Sequence, residues 1–178
     1  MRYVPLTVLA ACAVTAPAFA TQYLSPEQTE KLMFPEADAF RPHPLALDTA
    51  QMHQVEQVSG LPTRSAQWRV VGAYKGDTLL GYMVLDDVIG KFELISYAVG
   101  LNPDATVRQV EILAYRESHG SEIRLPAWRR QFVGKSAKSG DLRIGAGINN
   151  ISGATLSCTH VTDGVRRIAA VAQVALAR

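Results

Sequence analysis

The stretch from Trp68 to Tyr115 constrains the fold most, because its side chains run with a period of two. Trp68, Val70, Gly72 and Tyr74 alternate with Arg69, Val71, Ala73 and Lys75, the spacing of a strand with one face on a core. "KGD" (Lys75 to Asp77) makes a tight turn into a second strand, Thr78 to Leu85. A third strand fits Phe92 to Val99, and "NPD" (Asn102 to Asp104) turns the chain into a fourth, Val107 to Tyr115. Four consecutive strands with short links predict an antiparallel sheet of about four strands, wound as a meander.

Helical signals flank this region. "SPEQ" (Ser25 to Gln28) is a capping-box start with a proline at the first helical position, and the helix should run to about Met33. "FPEADAFRPHP" (Phe34 to Pro44) reads as an extended connector broken by three prolines. "DTAQ" (Asp48 to Gln51) caps a second helix, which Gly60 stops. Leu125 to Phe132 suggests a short helix carrying Trp128, and "KSAKSGD" (Lys135 to Asp141) a polar loop. In the last helix Cys158, Val161, Val165, Ile168, Ala172 and Ala175 recur in steps of three and four, which makes one apolar stripe. The fold class is therefore α+β, with the helices on one face of the sheet and the C-terminal helix preceded by a small-residue loop.

The first twenty residues, "MRYVPLTVLAACAVTAPAFA", have the form of a secretory signal: Arg2, an apolar run from Val4 to Val14, and Ala18-Phe19-Ala20 as an A-x-A cleavage site. "LAAC" (Leu9 to Cys12) offers a rival lipoprotein-type site, but too little apolar chain precedes it. Cleavage after Ala20 leaves residues 21–178 as a single periplasmic domain starting at Thr21. Of the 18 basic residues Arg2 is lost, so the charge balances the 16 acidic ones to within about one unit, and no basic stripe points to nucleic acid. Cys158 is then the single cysteine, which excludes an internal disulfide. The chain has no CxxC, CxxCH or paired-histidine spacing, which argues against structural zinc, haem c and iron–sulfur clusters.

"NNISGATLSC" (Asn149 to Cys158) stands where the last helix must begin. Ser152 or Thr155 could cap that helix through its side-chain oxygen. The same place also suits a phosphate. A helix N-terminus carries unpaired N–H groups and the positive end of a dipole, and Gly153 and Ala154 allow close approach to the backbone. A phosphate there would touch the Thr155 hydroxyl.

"SGATLS" (Ser152 to Ser157) resembles the flavinylation motif of the FMN-binding domain family, whose members include soluble domains of the sodium-pumping NADH:quinone reductase and of Rnf-type complexes. "VIGKFELISYAVGLN" (Val88 to Asn102), "YRESHGSEIR" (Tyr115 to Arg124), "WRRQFVGK" (Trp128 to Lys135) and "MFPEADAF" (Met33 to Phe40) resemble further blocks of small secreted members, in family order. The resemblance implies FMN as cofactor, esterified through its phosphate to Thr155 by an FAD:protein FMN transferase. It also implies Ser152, Gly153, Ala154, Lys91, Arg116 and Glu117 around the flavin, and a membrane or periplasmic redox partner. The family motif has Asp three residues before the serine; this chain has Asn149, which keeps hydrogen bonding and loses the charge.

Each of these residues also has a plainer reading. Lys91 could be a solvated strand end, and Arg116 and Glu117 an ordinary surface ion pair. Tyr97, Tyr115 and Trp128 could stack on an isoalloxazine ring, but aromatics at such spacing belong more often to a core. Cys158 lies on the apolar stripe as a small hydrophobe. Ser157, Cys158 and His160 lack a nucleophile elbow and an oriented third partner, which sets a hydrolase aside. His43, His53 and His119 read as loop or surface residues. The sequence thus leads to an exported electron carrier with one flavin rather than a stand-alone enzyme; the alternative is a secreted α+β interaction module without flavin.

Overall fold

The computed structural model describes residues 21–177; the signal expected at 1–20, with Cys12, lies outside them. The elements run β1 (Thr21–Gln22), α1 (Pro26–Met33), β2 (Ala39–Pro42), β3 (Leu45–Ala46), α2 (Thr49–Ser59), β4 (Gln67–Lys75), β5 (Thr78–Ile89), β6 (Leu94–Leu101), β7 (Val107–Tyr115), α3 (Pro126–Arg129) and α4 (Thr155–Ala175). Short 3-10 turns at Ser121–Arg124 and Arg130–Phe132 flank α3. The sheet order is β1-β7-β6-β5-β4-β2, with β3 also on β4, and all pairs are antiparallel.

The four long strands are the meander that the alternation predicts. In register, Val70 faces Val84, Val84 faces Val99 and Val99 faces Val110. All four are buried, so a row of β-branched side chains crosses the sheet on one face. Against that face lies α4, with Cys158, Val161, Val165 and Ile168 fully buried, and α2 packs on α4. Gly164 lets the helix down onto the sheet, since a Cβ there would sit 2.0 Å from the Tyr97 phenol oxygen.

Helices cover both faces, not one. On the opposite side Met33 and Phe34, at the end of α1, pack on Ala73, Met83, Ala98 and Leu113. The strands are buried on alternate residues in both directions, so a second layer is required. Both capping boxes form: Ser25 with Gln28 and Asp48 with Gln51. The proline-rich connector is more ordered than its sequence suggests, since Ala39–Pro42 pairs with β4 as an edge strand. The missing N–H of Pro42 is harmless there because nothing lies beyond it in the sheet order.

The other border is closed differently. β1 covers only Ala114 and Tyr115 of β7. Further along, Tyr23 N–H donates to Leu113 O at 2.8 Å, Arg129 Nη1 to Val110 O at 2.7 Å and Gly134 N–H to Val107 O at 2.8 Å. Val107 N–H in turn donates to Lys135 O at 2.8 Å.

Candidate functional site

The last helix starts without a side-chain cap. Its N-cap residue is Ala154, which has no acceptor to offer, and Thr155 is the first helical residue. Neither Ser152 nor Thr155 therefore plays the capping role that their residue types allow. The N–H groups of the first turn stay open, at the positive end of a 21-residue helix. Gly153 reaches the start through φ 81°, and a Cβ on it would meet nothing within 4 Å. The backbone is thus accessible from the solvent side.

The Thr155 hydroxyl is exposed, and its oxygen accepts from Asn150 Nδ2 at 3.1 Å. With that bond accepted, the hydroxyl still has its own proton to donate. Asn150 is a neighbour that motif reading did not single out. Asn149 is held through its backbone: its N–H donates to Gln131 Oε1 and its carbonyl accepts from Trp128 Nε1, each at 2.8 Å. Ser157 turns inward; it is 4% exposed and lies 3.2 Å from the Tyr115 hydroxyl.

A cleft of about 610 Å³ opens at the helix start, within the size range of small-ligand sites. Three separate segments line it: Lys91 and Phe92 from the β5–β6 hairpin tip, Glu117 to His119 after β7, and Gly153 to Ser157. The structure thus brings together Thr155, Gly153, Ala154, Lys91 and Glu117. Ser152, although exposed beside the cleft, is not in its lining.

Arg116 and Glu117 part company. Adjacent residues at a strand end point to opposite faces, and the two do not pair. Arg116 donates to Leu94 O at 3.1 Å and lines a different depression beside Arg69 and Asp87, which form an ion pair of 3.0 Å. Glu117 Oε1 instead accepts from the backbone N–H groups of Lys91, Phe92 and Glu93. Burial works to raise its pKa, but these three amides and the Lys91 charge outweigh it and hold the carboxyl below its usual range.

The aromatics expected in the core are there. Tyr97, Tyr115 and Trp128 are at most 5% exposed and none lines the cleft. Tyr97 donates to Asp86 Oδ2 at 2.7 Å, and burial, reinforced by the Asp86 charge, pushes its phenol well above the usual value. Tyr115 donates to His119 O, which holds the loop after β7 against the sheet. Phe92 and His119 belong to the cleft although neither was singled out as a site residue within the blocks "VIGKFELISYAVGLN" and "YRESHGSEIR" that contain them. The available signal was for Phe92, a large aromatic directly after Gly90-Lys91, and the structure leaves it 75% exposed. His119 takes its place through the loop, with Nδ1 3.0 Å from Ser118 Oγ. Cys158 is fully buried, and burial raises its thiol pKa. His160 Nδ1 lies 2.5 Å from Ile89 O and so joins α4 to the end of β5.

Residues 90–170 match the model of a family described as the FMN-binding domain. Among solved structures, the crystal structure of Shewanella oneidensis NqrC is similar at 17% identity, over 82% of each chain, with a TM-score of 0.49. None of the curated proteins compared matches the chain.

Proposed function

We propose that this chain, an FMN-binding domain by family over residues 90–170 with FMN as its cofactor, is an exported electron carrier whose flavin is esterified to Thr155. The observation that carries the reading is the junction of an exposed threonine hydroxyl, an uncapped helix start and a cleft of ligand size at one place.

The residues present fit the group. A phosphate at the first turn of α4 would meet open N–H groups and the helix dipole, and Gly153 leaves the approach free. Lys91 adds a positive side chain to the cleft. Phe92 and Leu156, 75% and 46% exposed, offer apolar surface for a planar ring. Asn150 orients Thr155 Oγ1. In the attachment step that oxygen gives up its proton and bonds to the FMN phosphorus of FAD, the pyrophosphate bond breaks, and AMP leaves. An FAD:protein FMN transferase is the partner that this step needs.

Bound isoalloxazine exchanges electrons singly or in pairs and so connects two-electron donors to one-electron acceptors. The chain binds, orients and shields it, and a membrane or periplasmic redox partner supplies and removes the electrons. A covalent bond retains the cofactor in a compartment where lost flavin would not be replaced. Export rests on the Arg2, Val4–Val14 and Ala18-Phe19-Ala20 pattern.

The test is the intact mass after co-expression with the transferase. Wild type should gain one FMN less one water, while Thr155→Val, which keeps the shape and deletes the oxygen, should gain nothing and stay folded. Flavin that persists in Thr155→Val, or a peptide mass that places it on Ser152 or Ser157, would overturn the assignment.

A further inference from the structure

Glu117 reaches from the end of β7 to the β5–β6 hairpin and meets an unusual set of donors. Its Oε1 accepts from three successive amides: Lys91, Phe92 at 2.6 Å and Glu93 at 3.0 Å. Consecutive N–H groups converging on one point form an anion nest, and here the anion belongs to the chain itself. Gly90 makes the approach possible, because a Cβ on it would lie 2.6 Å from Glu117 Oε1 and 3.1 Å from Glu117 Cγ.

Arg116 Nη1 donates to Leu94 O at 3.1 Å and His160 Nδ1 lies 2.5 Å from Ile89 O and 3.2 Å from Gly90 O, so these contacts hold the two ends of the hairpin and not residues 91–93. Lys91, Phe92, Glu93 and Leu94 are all exposed, and the ladder between β5 and β6 ends at Ile89 opposite Leu94. Beyond it a single backbone bond, Gly90 N–H to Glu93 O at 2.8 Å, closes the turn. Yet this tip carries Phe92 to the cleft. The aromatics that could otherwise meet a flavin ring, Tyr97, Tyr115 and Trp128, are locked in the core.

We infer that Glu117 is a positioning residue: by gathering the amides of residues 91–93 on its carboxylate it fixes the hairpin tip, so that Phe92 stands as a wall of the cleft against the isoalloxazine ring. The inference rests on the cleft being the seat of the flavin. The latch itself belongs to the protein without flavin. Hydrogen bonds to an ionised acceptor are about twice as strong as neutral ones, which is why a carboxylate suits the role, and the depressed pKa of Glu117 agrees with it.

Two measurements separate the latch from the flavin reading. In the apoprotein, amide exchange at Lys91, Phe92 and Glu93 should quicken at least about tenfold in Glu117→Gln, given what charged hydrogen bonds contribute, while exchange in the α4 core stays as in wild type. Unchanged exchange at 91–93 would overturn the latch, whatever the cofactor does. In protein whose mass shows one attached FMN, Phe92→Ala should raise severalfold the efficiency with which iodide quenches the flavin fluorescence, because the ring loses its wall. Glu117→Gln should do the same with Phe92 intact, and the double variant should rise no further than Phe92→Ala. A rise that is additive, or absent in Glu117→Gln, would overturn the link from latch to wall. Glu117→Gln keeps the side chain's size and one acceptor oxygen, so the test survives if Glu117→Ala fails to fold. Wild type that never acquires FMN would sink the flavin reading and leave the exchange result standing.

Discussion

Two glycines border the cleft in the same backbone region, Gly120 at φ 84° and Gly153 at φ 81°. An L side chain at either must adopt the left-handed conformation, which costs about 1–2 kcal/mol. They differ in what a new methyl would meet. At Gly153 there is nothing within 4 Å, whereas at Gly120 the methyl would lie 2.5 Å from Ala154 Cβ and 2.8 Å from the Tyr115 hydroxyl oxygen. Ala154 is the N-cap of α4 and Tyr115 is 3% exposed, so neither yields easily. Forcing a methylene into such a contact costs roughly a further 1–3 kcal/mol. Gly153→Ala should therefore lose only the conformational part, and Gly120→Ala should lose both. At this chain length about 2–4 °C accompanies each kcal/mol, so the two variants should melt about 2–12 °C apart. Thermal unfolding of the apoproteins, followed by circular dichroism, reads the difference directly. Equal melting temperatures, or a lower one for Gly153→Ala, would refute the packing of loop 118–120 on the start of α4.

Ser157→Ala removes the hydroxyl facing Tyr115 and should lose about 1 kcal/mol in urea denaturation, with flavin labelling unchanged by mass. Asn149→Asp restores the family's acid at an exposed position and should raise the labelled fraction in a timed transferase reaction. N-terminal sequencing of protein from the periplasm should begin at Thr21; an acylated Cys12 would show the other processing route. Glu117 has a folded pKa below its unfolded one. Its stabilisation is thus full above the ordinary glutamate value of about 4.3 and drains as pH falls through the lowered one. Glu117→Gln should be less stable at neutral pH and should show a flatter acid limb in a stability–pH series.

Local patterns spoke clearly where local physics decides. The alternation from Trp68 to Tyr74, the two capping boxes and the apolar stripe of α4 were legible because each is set by neighbours in the sequence. β2 was hidden in a proline-rich stretch, because its strand character comes from pairing with β4 and not from its own residues. The placement of α1 on the second face also depended on tertiary packing, although the run Val70-Val71-Gly72-Ala73 already hinted at burial on both sides.

The site divides along the same line. Thr155, Gly153 and Ala154 were legible because they are contiguous and their chemistry is local. The separation of Arg116 from Glu117 follows from strand alternation and could have been foreseen. What Glu117 holds could not, since its donors lie 24 to 26 residues away. Ala154 as N-cap was missed for another reason: propensity favours an oxygen-bearing residue there, and the chain leaves the position without one.

The borders of the sheet bear on how this protein meets others. One ends in β2, where Pro42 offers no N–H, and the other is met at Val107, Val110, Leu113 and Ala114 by the chain's own groups. Strand addition, by which many domains recruit an extended peptide or stack into fibrils, needs a row of free donors and acceptors. Here that row is interrupted on one side and occupied on the other. Among the described residues, then, the sheet borders favour docking by side-chain surface over the joining of sheet to sheet.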